Sequence, residues 1–202
     1  GEIRPAQSVK LICGILFHDP QIREQVDFRL QERFGPADYR SAVFPFKETD
    51  YYNEEMGMGL KRQYLSFQNL VLPDLLAETK HFTNRLEAEF ASPDGRRRVN
   101  LDPGLLSSAN IILASTKHFY HRVYLRDGIY AEVTMFYRHG RFEALPWTYP
   151  DYRNHQQVFL EFEPSTDGRH VEKSGMEKRA ERTGVAGGTI RYNTVSPERT
   201  IS

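Results

Sequence analysis

The chain has 202 residues, 39% of them hydrophobic, enough for one substantial core. Lysine plus arginine and aspartate plus glutamate each total 27, so no global field draws the protein to nucleic acid or to an anionic membrane surface. A single cysteine, Cys13, excludes an intrachain disulfide framework and a cluster of thiolate metal ligands. No apolar stretch is long enough to span a bilayer, and GEIRPAQSVK at the start lacks the apolar run of a secretory signal, so the expectation is a cytosolic protein with no membrane partner.

KLICGILF, from Lys10 to Phe17, is a continuous apolar run of strand length, which places Cys13 as an inert buried thiol. HDPQ then starts a helix with Asp19 as N-cap and Pro20 in its first turn, and Ile22, Val26, Leu30 and Phe34 form a stripe that stops at Gly35 and Pro36. YRSAVFPF, Tyr39 to Phe46, and KRQYLSFQNLV from Lys61 read as two further strands. KETDYYNEEMGMGL between them is polar and glycine-rich, the composition of a lid or binding loop that would bring Tyr51, Tyr52, Glu54, Glu55, Lys61 and Arg62 toward a cleft. A second helix opens near Pro73 and Asp74 with Leu75, Phe82, Leu86 and Phe90 on one side; SPDG stops it, and RRRVNL, Arg96 to Leu101, is a fourth strand. The order strand, helix, strand, strand, helix, strand predicts an α+β fold with a ferredoxin-like, split βαβ antiparallel core. DPGLLSSANIILASTK, Asp102 to Lys117, reads as a helix or a helix followed by a turn.

HRVYLRDGIYAEVTMFYRHGRF, His121 to Phe142, extends this core as a three-stranded meander with turns at Asp127-Gly128 and His139-Gly140. Counting outward from the first turn pairs Arg126 with Ile129, Leu125 with Tyr130, Val123 with Glu132 and His121 with Thr134. Alternation sends Ile129, Ala131, Val133, Met135 and Tyr137 to the core, so that Val133→Asp is expected to unfold the protein. The same alternation gathers His121, Glu132 and Thr134 on the other face near Lys117. A carboxylate beside an imidazole is the arrangement of a general base, and also that of an ordinary solvated pair. LPWTYPDY, Leu145 to Tyr152, suits stacking on a base or another planar ligand, or, the commoner role, aromatic staples pinning the chain onto the core. After Pro164 the composition turns to glycine, serine, threonine and charge, which sets the expected division: one domain over residues 1–163 and a flexible polar tail over 164–202.

Other constellations carry bland readings beside functional ones. Asn100 and Asp102 in NLDPG sit where a strand ends, although these are also ordinary turn residues. Arg96 to Arg98 suit phosphate contact or a solvated edge. His118 and His121 would point to opposite faces of an extended chain, against shared metal ligation, so no metal is assigned. No phosphate loop or nucleophile elbow is present, and no cofactor is indicated.

DYYNEEMGMGLKRQYLSF, RRRVNLDPGLL, LASTKHFYHRVYLRDGIYAEVTMFYRHGRFEALPWTYPDY and the opening KLICGILF together resemble the prokaryotic domain-of-unknown-function family 4416, several long motifs occurring in the same order. The resemblance covers the chain to about Tyr152. It implies a bacterial or archaeal setting and no activity, and it points to the polar positions Asn100, Asp102, Lys117, His121, Arg122, Glu132 and Asp151. The expected function is a small-molecule enzyme acting on an anionic substrate. His121 would be acid or base, oriented by Glu132, with Asp102 as a further participant and Lys117, Arg122, Asn100 and Thr134 binding the substrate. Strict alternation sets Arg122 on the face away from His121, and a bulge is needed to bring it round. The alternative is a non-catalytic RNA- or protein-binding module using exposed sheet aromatics.

Overall fold

Residues Val9–Phe17 form β1, whose run of buried side chains is possible only because both faces of the strand are covered. The computed structural model describes residues 1–47 and 52–162, apart from the side chains of residues 53 and 54. After β1 come α1 (Pro20–Phe34), β2 (Ala37–Arg40), β3 (Phe44–Pro45), the short α2 (Asn53–Met56) and β4 (Lys61–Val71). A 3-10 turn at Pro73–Leu75 leads into α3 (Leu76–Glu89), followed by β5 (Val99–Leu106), β6 (Asn110–Ser115), β7 (Val123–Arg126), β8 (Ile129–Arg138) and β9 (Arg141–Ala144). Two short helices, α4 (Pro150–Asn154) and α5 (Val158–Glu161), close the described chain. The strands pair antiparallel in the order β2-β4-β1-β5-β6-β8-β7, with β3 on β4 and β9 on β8. This is a mixed α and β protein on a nine-stranded sheet. Among the described residues no helix is long and apolar enough to cross a membrane.

The alternation of β1 builds two cores. Leu11, Cys13, Ile15 and Phe17 meet Ile22, Val26 and Leu30 of α1 and Leu76, Ala77 and Leu86 of α3 on one side of the sheet. On the other side Ile12 joins Tyr64, Leu106, Ile111, Leu113 and Met135 under Tyr152, Phe159 and Phe162 from the C-terminal helices. The α1 expectation holds: Asp19 accepts the Gln21 amide at 2.8 Å, and Gly35, at φ +91°, donates back to Gln31. On α3 Leu75 is exposed, and Leu76 and Ala77 take the inward position instead, because the 3-10 turn shifts the phase of the helix.

Four expectations are corrected. Asp102 to Lys117 contains no helix: β5 runs to Leu106, turns at Ser107, whose hydroxyl accepts the Asn110 amide at 3.0 Å, and returns as β6. The open edge of β5 takes a strand partner there, and that pairing overrides the local helical composition. The fourth strand therefore begins at Val99, not Arg96, and Asn100 and Asp102 lie within it. Tyr39 to Phe46 divides into β2 and β3 around Ser41, whose hydroxyl accepts the Tyr64 amide at 3.0 Å.

The meander departs most. Asp127 (φ 51°) and Gly128 (φ 76°) make the expected turn, and Arg126 pairs with Ile129, but a bulge at Leu125 then moves the register by one residue. Tyr124 faces Tyr130 and Val123 faces Ala131. Nor are the three strands a simple row. β6 occupies one side of β8 over Tyr130 to Phe136, so β7 and β9 share the other side, at its two ends. Glu132, Val133 and Thr134 lie in the gap between them. Burial in this gap is inverted: Glu132 and Thr134 are buried and Val133 is 39% exposed, whereas Ile129 and Met135 on either side are buried as expected. The expected tail, residues 164–202, and Tyr51 lie outside the described residues.

Candidate functional site

The gap on β8 is filled by the segments on either side of it. Trp147 donates its indole N–H to the Val133 carbonyl at 2.9 Å, and the Thr148 hydroxyl donates to the Thr134 carbonyl. From the other direction the chain enters β7 through a turn in which the Arg122 amide donates to the Phe119 carbonyl at 3.0 Å. Both His121 and Arg122 reach Glu132 as a result, since the turn releases His121 from strand alternation and the Leu125 bulge brings Arg122 to the Glu132 side.

Glu132 is the centre of this cluster. Arg122 Nε donates to its Oε2 at 2.7 Å, His121 Nε2 donates to the same oxygen at 3.0 Å, and Thr134 Oγ1 donates to Oε1 at 3.2 Å. The side chains of Glu132, Arg122 and His121 are 2%, 4% and 10% exposed, so the charges are paired away from water. Arg122 also donates to Ser115 Oγ at 2.8 Å, the Lys117 carbonyl at 3.0 Å and Tyr149 Oη at 3.0 Å, and its guanidinium lies 4.8 Å from the Phe119 ring centre. Its donors are therefore engaged by the protein. His121 is stacked between Trp147, with ring centres 4.9 Å apart, and Phe119, at 5.8 Å. With Nε2 committed to Glu132, its Nδ1 is buried and has no partner.

A second buried cluster adjoins the first. Arg62 lies on β4, fully enclosed, and its Nη1 donates to Asp102 Oδ2 at 2.8 Å while its Nε sits 2.8 Å from Asp151 Oδ2 at the start of α4. Burial works against the Arg62 charge, but the two carboxylates outweigh it and hold the guanidinium firmly protonated. Asn100 Nδ2 donates to both oxygens of Asp102, at 3.0 and 3.1 Å, and Arg97 donates to Asn100 Oδ1 at 2.9 Å and to both oxygens of Glu55. Arg97 is thus a structural tie between α2 and β5 and not a solvated edge. Lys80 of α3 donates to the Leu101 carbonyl at 2.7 Å, and Glu87, whose carboxyl is pushed above the usual range by burial, accepts the Leu101 amide at 2.7 Å.

Between these clusters lie two adjoining cavities. A polar one of about 280 Å³ opens where β5 and β6 diverge, because their pairing stops at Gly104 and Leu113 and the next residue, Pro103, has no N–H to continue it. Asn100, Asp102, Ser115, Lys117 and Glu132 line it. An aromatic one of about 500 Å³ is lined by Phe46, Phe119, His121 and Trp147 together with Arg62 and Asp151. Tyr52, Asp102, Lys117, Arg122 and Tyr149 belong to both and form the neck between them. Burial raises the phenol pKa of Tyr52 and of Tyr149, so both remain protonated donors.

The fold therefore gathers six of the seven sequence-selected residues, Asn100, Asp102, Lys117, His121, Arg122 and Glu132, on the walls of one cleft; Thr134 lies behind, bonded to Glu132. Arg62, Tyr52, Trp147 and Tyr149 join them. Tyr52 and Arg62 belong to the loop and strand start that the sequence directs toward the cleft, and Trp147 also acts as the staple that its segment suggests. His118 packs on Tyr130, away from His121, and among the described residues no group of three His, Cys, Asp or Glu side chains is arranged to hold a metal ion. No curated protein and no solved structure matches the chain. A family model does match, over residues 7–162, ten residues beyond the stretch in which the resemblance was read: the chain belongs to the family described as domain of unknown function DUF4416.

Proposed function

We propose that this protein is a small-molecule enzyme in which His121 exchanges a proton with an anionic substrate, oriented by Glu132. The observation that supports the reading is the state of the imidazole: Nε2 is fixed on a buried carboxylate, and Nδ1 is left unpartnered at the wall of the aromatic cavity. A base held in one tautomer by a second group, beside an enclosed cavity, is the arrangement that general acid–base catalysis uses. Arg122 holds Glu132 in place, Asp102 faces both cavities, and Lys117 and Asn100 meet the polar part of the substrate. The core that positions them is, on this proposal, a ferredoxin-like split βαβ unit, a reading supported by the side-by-side order β2-β4-β1-β5 and by two helices sharing one face. The cytosolic setting rests on a free, buried Cys13.

The test is to incubate metabolite extracts with the wild type and with His121→Gln, and to follow small anions by mass spectrometry. A component consumed by the wild type and untouched by the variant is the expected result; identical profiles would remove His121 from catalysis.

A second reading has its own support. Tyr120, Val123, Tyr124 and Leu125 are exposed along β7, the outermost strand, and an apolar edge of this kind suits a protein partner. If Val123→Lys with Tyr124→Lys changed the sedimentation of the protein or its retained partners without altering any turnover, the edge would be the functional surface.

A further inference from the structure

The carboxylates around the polar cavity already accept from donors of the protein. Glu132 accepts from Arg122, His121 and Thr134; Asp102 from Arg62 and Asn100; Glu87 from the Leu101 amide. A cationic ligand would find its counter-charges occupied. Of the seven charged residues that line the cavity four are basic, and burial pushes the Glu87 carboxyl above its usual range, so the balance of charge favours a negative group.

Two hydroxyls are arranged to receive such a group. A serine hydroxyl has one hydrogen and two lone pairs. Both lone pairs of Ser115, at the end of β6, are filled: Arg122 Nη1 donates to its Oγ at 2.8 Å and the Lys117 backbone amide at 3.2 Å. Tyr149, just before α4, accepts from Arg122 Nη2 at 3.0 Å. Each oxygen therefore turns its lone pairs toward one guanidinium and its hydrogen away from it, and neither hydrogen has an acceptor among the described residues. Both residues line the polar cavity. Arg122 is itself held, with Nε on Glu132 at 2.7 Å and the guanidinium 4.8 Å from the Phe119 ring centre, so the two donors are oriented before any ligand arrives. A hydroxyl whose oxygen already accepts from a cation is a stronger donor, and its bond to a negatively charged oxygen is stronger than one between neutral groups.

We propose that the anionic group of the substrate is a compact oxyanion, a carboxylate or a phosphate, held in the polar cavity by hydrogen bonds from the hydroxyls of Ser115 and Tyr149, with Arg122 fixing both donors. This deepens the acid–base reading and rests on it for the word substrate, but the binding it describes is measured without turnover. Tyr149 also borders the aromatic cavity, so an oxyanion on its hydroxyl leaves the rest of the molecule beside Phe119, His121 and Trp147.

The full protein is titrated with acetate, with inorganic phosphate and with acetamide, the neutral counterpart of acetate, at constant ionic strength. Two resonances of a proton–nitrogen correlation spectrum report: the Lys117 backbone amide, which rests on Ser115 Oγ, and the indole N–H of Trp147, the single tryptophan of the chain. The expected result is a saturable shift with acetate or phosphate, at least about tenfold tighter than with acetamide, and whichever anion binds tighter assigns the oxyanion as carboxylate or phosphate. Tyr149→Phe and Ser115→Ala should each weaken that anion by about tenfold, the loss of one hydrogen bond to a charged group, while Ser115→Thr, which keeps the hydroxyl, should retain the binding. Equal affinities for the anions and acetamide, shifts that never saturate, or indifference to both Tyr149→Phe and Ser115→Ala would overturn the inference. Loss of binding in Ser115→Thr as well as in Ser115→Ala would remove the Ser115 hydroxyl from the site. His121→Gln separates the two proposals, since an anion that still binds this variant upholds the oxyanion site even where His121 proves to have no catalytic part.

Discussion

At the scale of single residues, Glu132 and Val133 exchange the roles that alternation gives them. Glu132 is the counter-charge of a buried guanidinium, so Glu132→Ala would leave Arg122 enclosed without a partner. Breaking a buried pair in this way costs about 3–5 kcal/mol, and urea denaturation of the variant should show a loss of that size. Val133, by contrast, turns 39% of its surface to solvent, and its backbone carbonyl, not its side chain, is what Trp147 uses. Val133→Asp should therefore shift stability by no more than about 0.5–1 kcal/mol, where the sequence alone predicts unfolding. The two variants in parallel melts check the observed burial directly: if Val133→Asp proved the more damaging, the inward placement of Glu132 on β8 would be wrong.

At the scale of elements, the strands are held by polar ties that hydrophobic pattern does not disclose. Lys10, at the start of the apolar β1, is buried and its ammonium reaches Asp38 of β2 across the intervening β4, while Ser66 of β4 donates to the other Asp38 oxygen at 2.5 Å. Burial raises the Asp38 pKa, but the hydrogen bonds from Lys10 and Ser66 prevail and the net shift is downward. A carboxylate whose folded pKa lies below its unfolded value of about 3.8 adds stability above that value and loses it as the pH falls through the folded pKa. Asp38→Asn should accordingly destabilise the protein at pH 7 and lose most of that effect at pH 3, read as urea midpoints at the two pH values. The helix α1 and strands β1 and β4 were legible because a four-residue stripe and unbroken apolar runs are local signals. The β5–β6 hairpin was not, since the segment satisfies a helical composition until the open edge of β5 claims it.

At the scale of the whole molecule, β1 separates two cores; the aromatic cavity stands on the side closed by α4 and α5, and the polar cavity reaches Lys80, Asn84 and Glu87 of α3. Gly14 makes that closure possible. A side chain there would come within 2.4 Å of the Tyr152 hydroxyl and 3.2 Å of Arg62 Nη1, so the one glycine of KLICGILF is the space into which the C-terminal helices and the Arg62 cluster are seated. Tyr152 is fully buried against Tyr64 and Phe159. Tyr152→Ala should cost about 3–5 kcal/mol in chemical denaturation, the usual penalty for removing a large core ring. It should also loosen Arg62, whose partner Asp151 is the preceding residue. A loss under about 1 kcal/mol would mean that α4 is dispensable to the fold.

The amino-acid sequence by itself determined the alternation of helices and strands through residue 101 and the two hairpin turns of the meander. Each of these depends on signals within a few residues: apolar spacing, an N-cap, a turn pair that demands positive φ. Tertiary structure decided that β6 would take one side of β8, so that β7 and β9 share the other and leave the gap that the Trp147 segment fills. It also decided that Arg62, Asp102 and Asp151, distant in the chain, would meet at Gly14. Side chains brought together across strands obey the register of the sheet, and a one-residue bulge, which no local pattern announces, is enough to change which of them share a face.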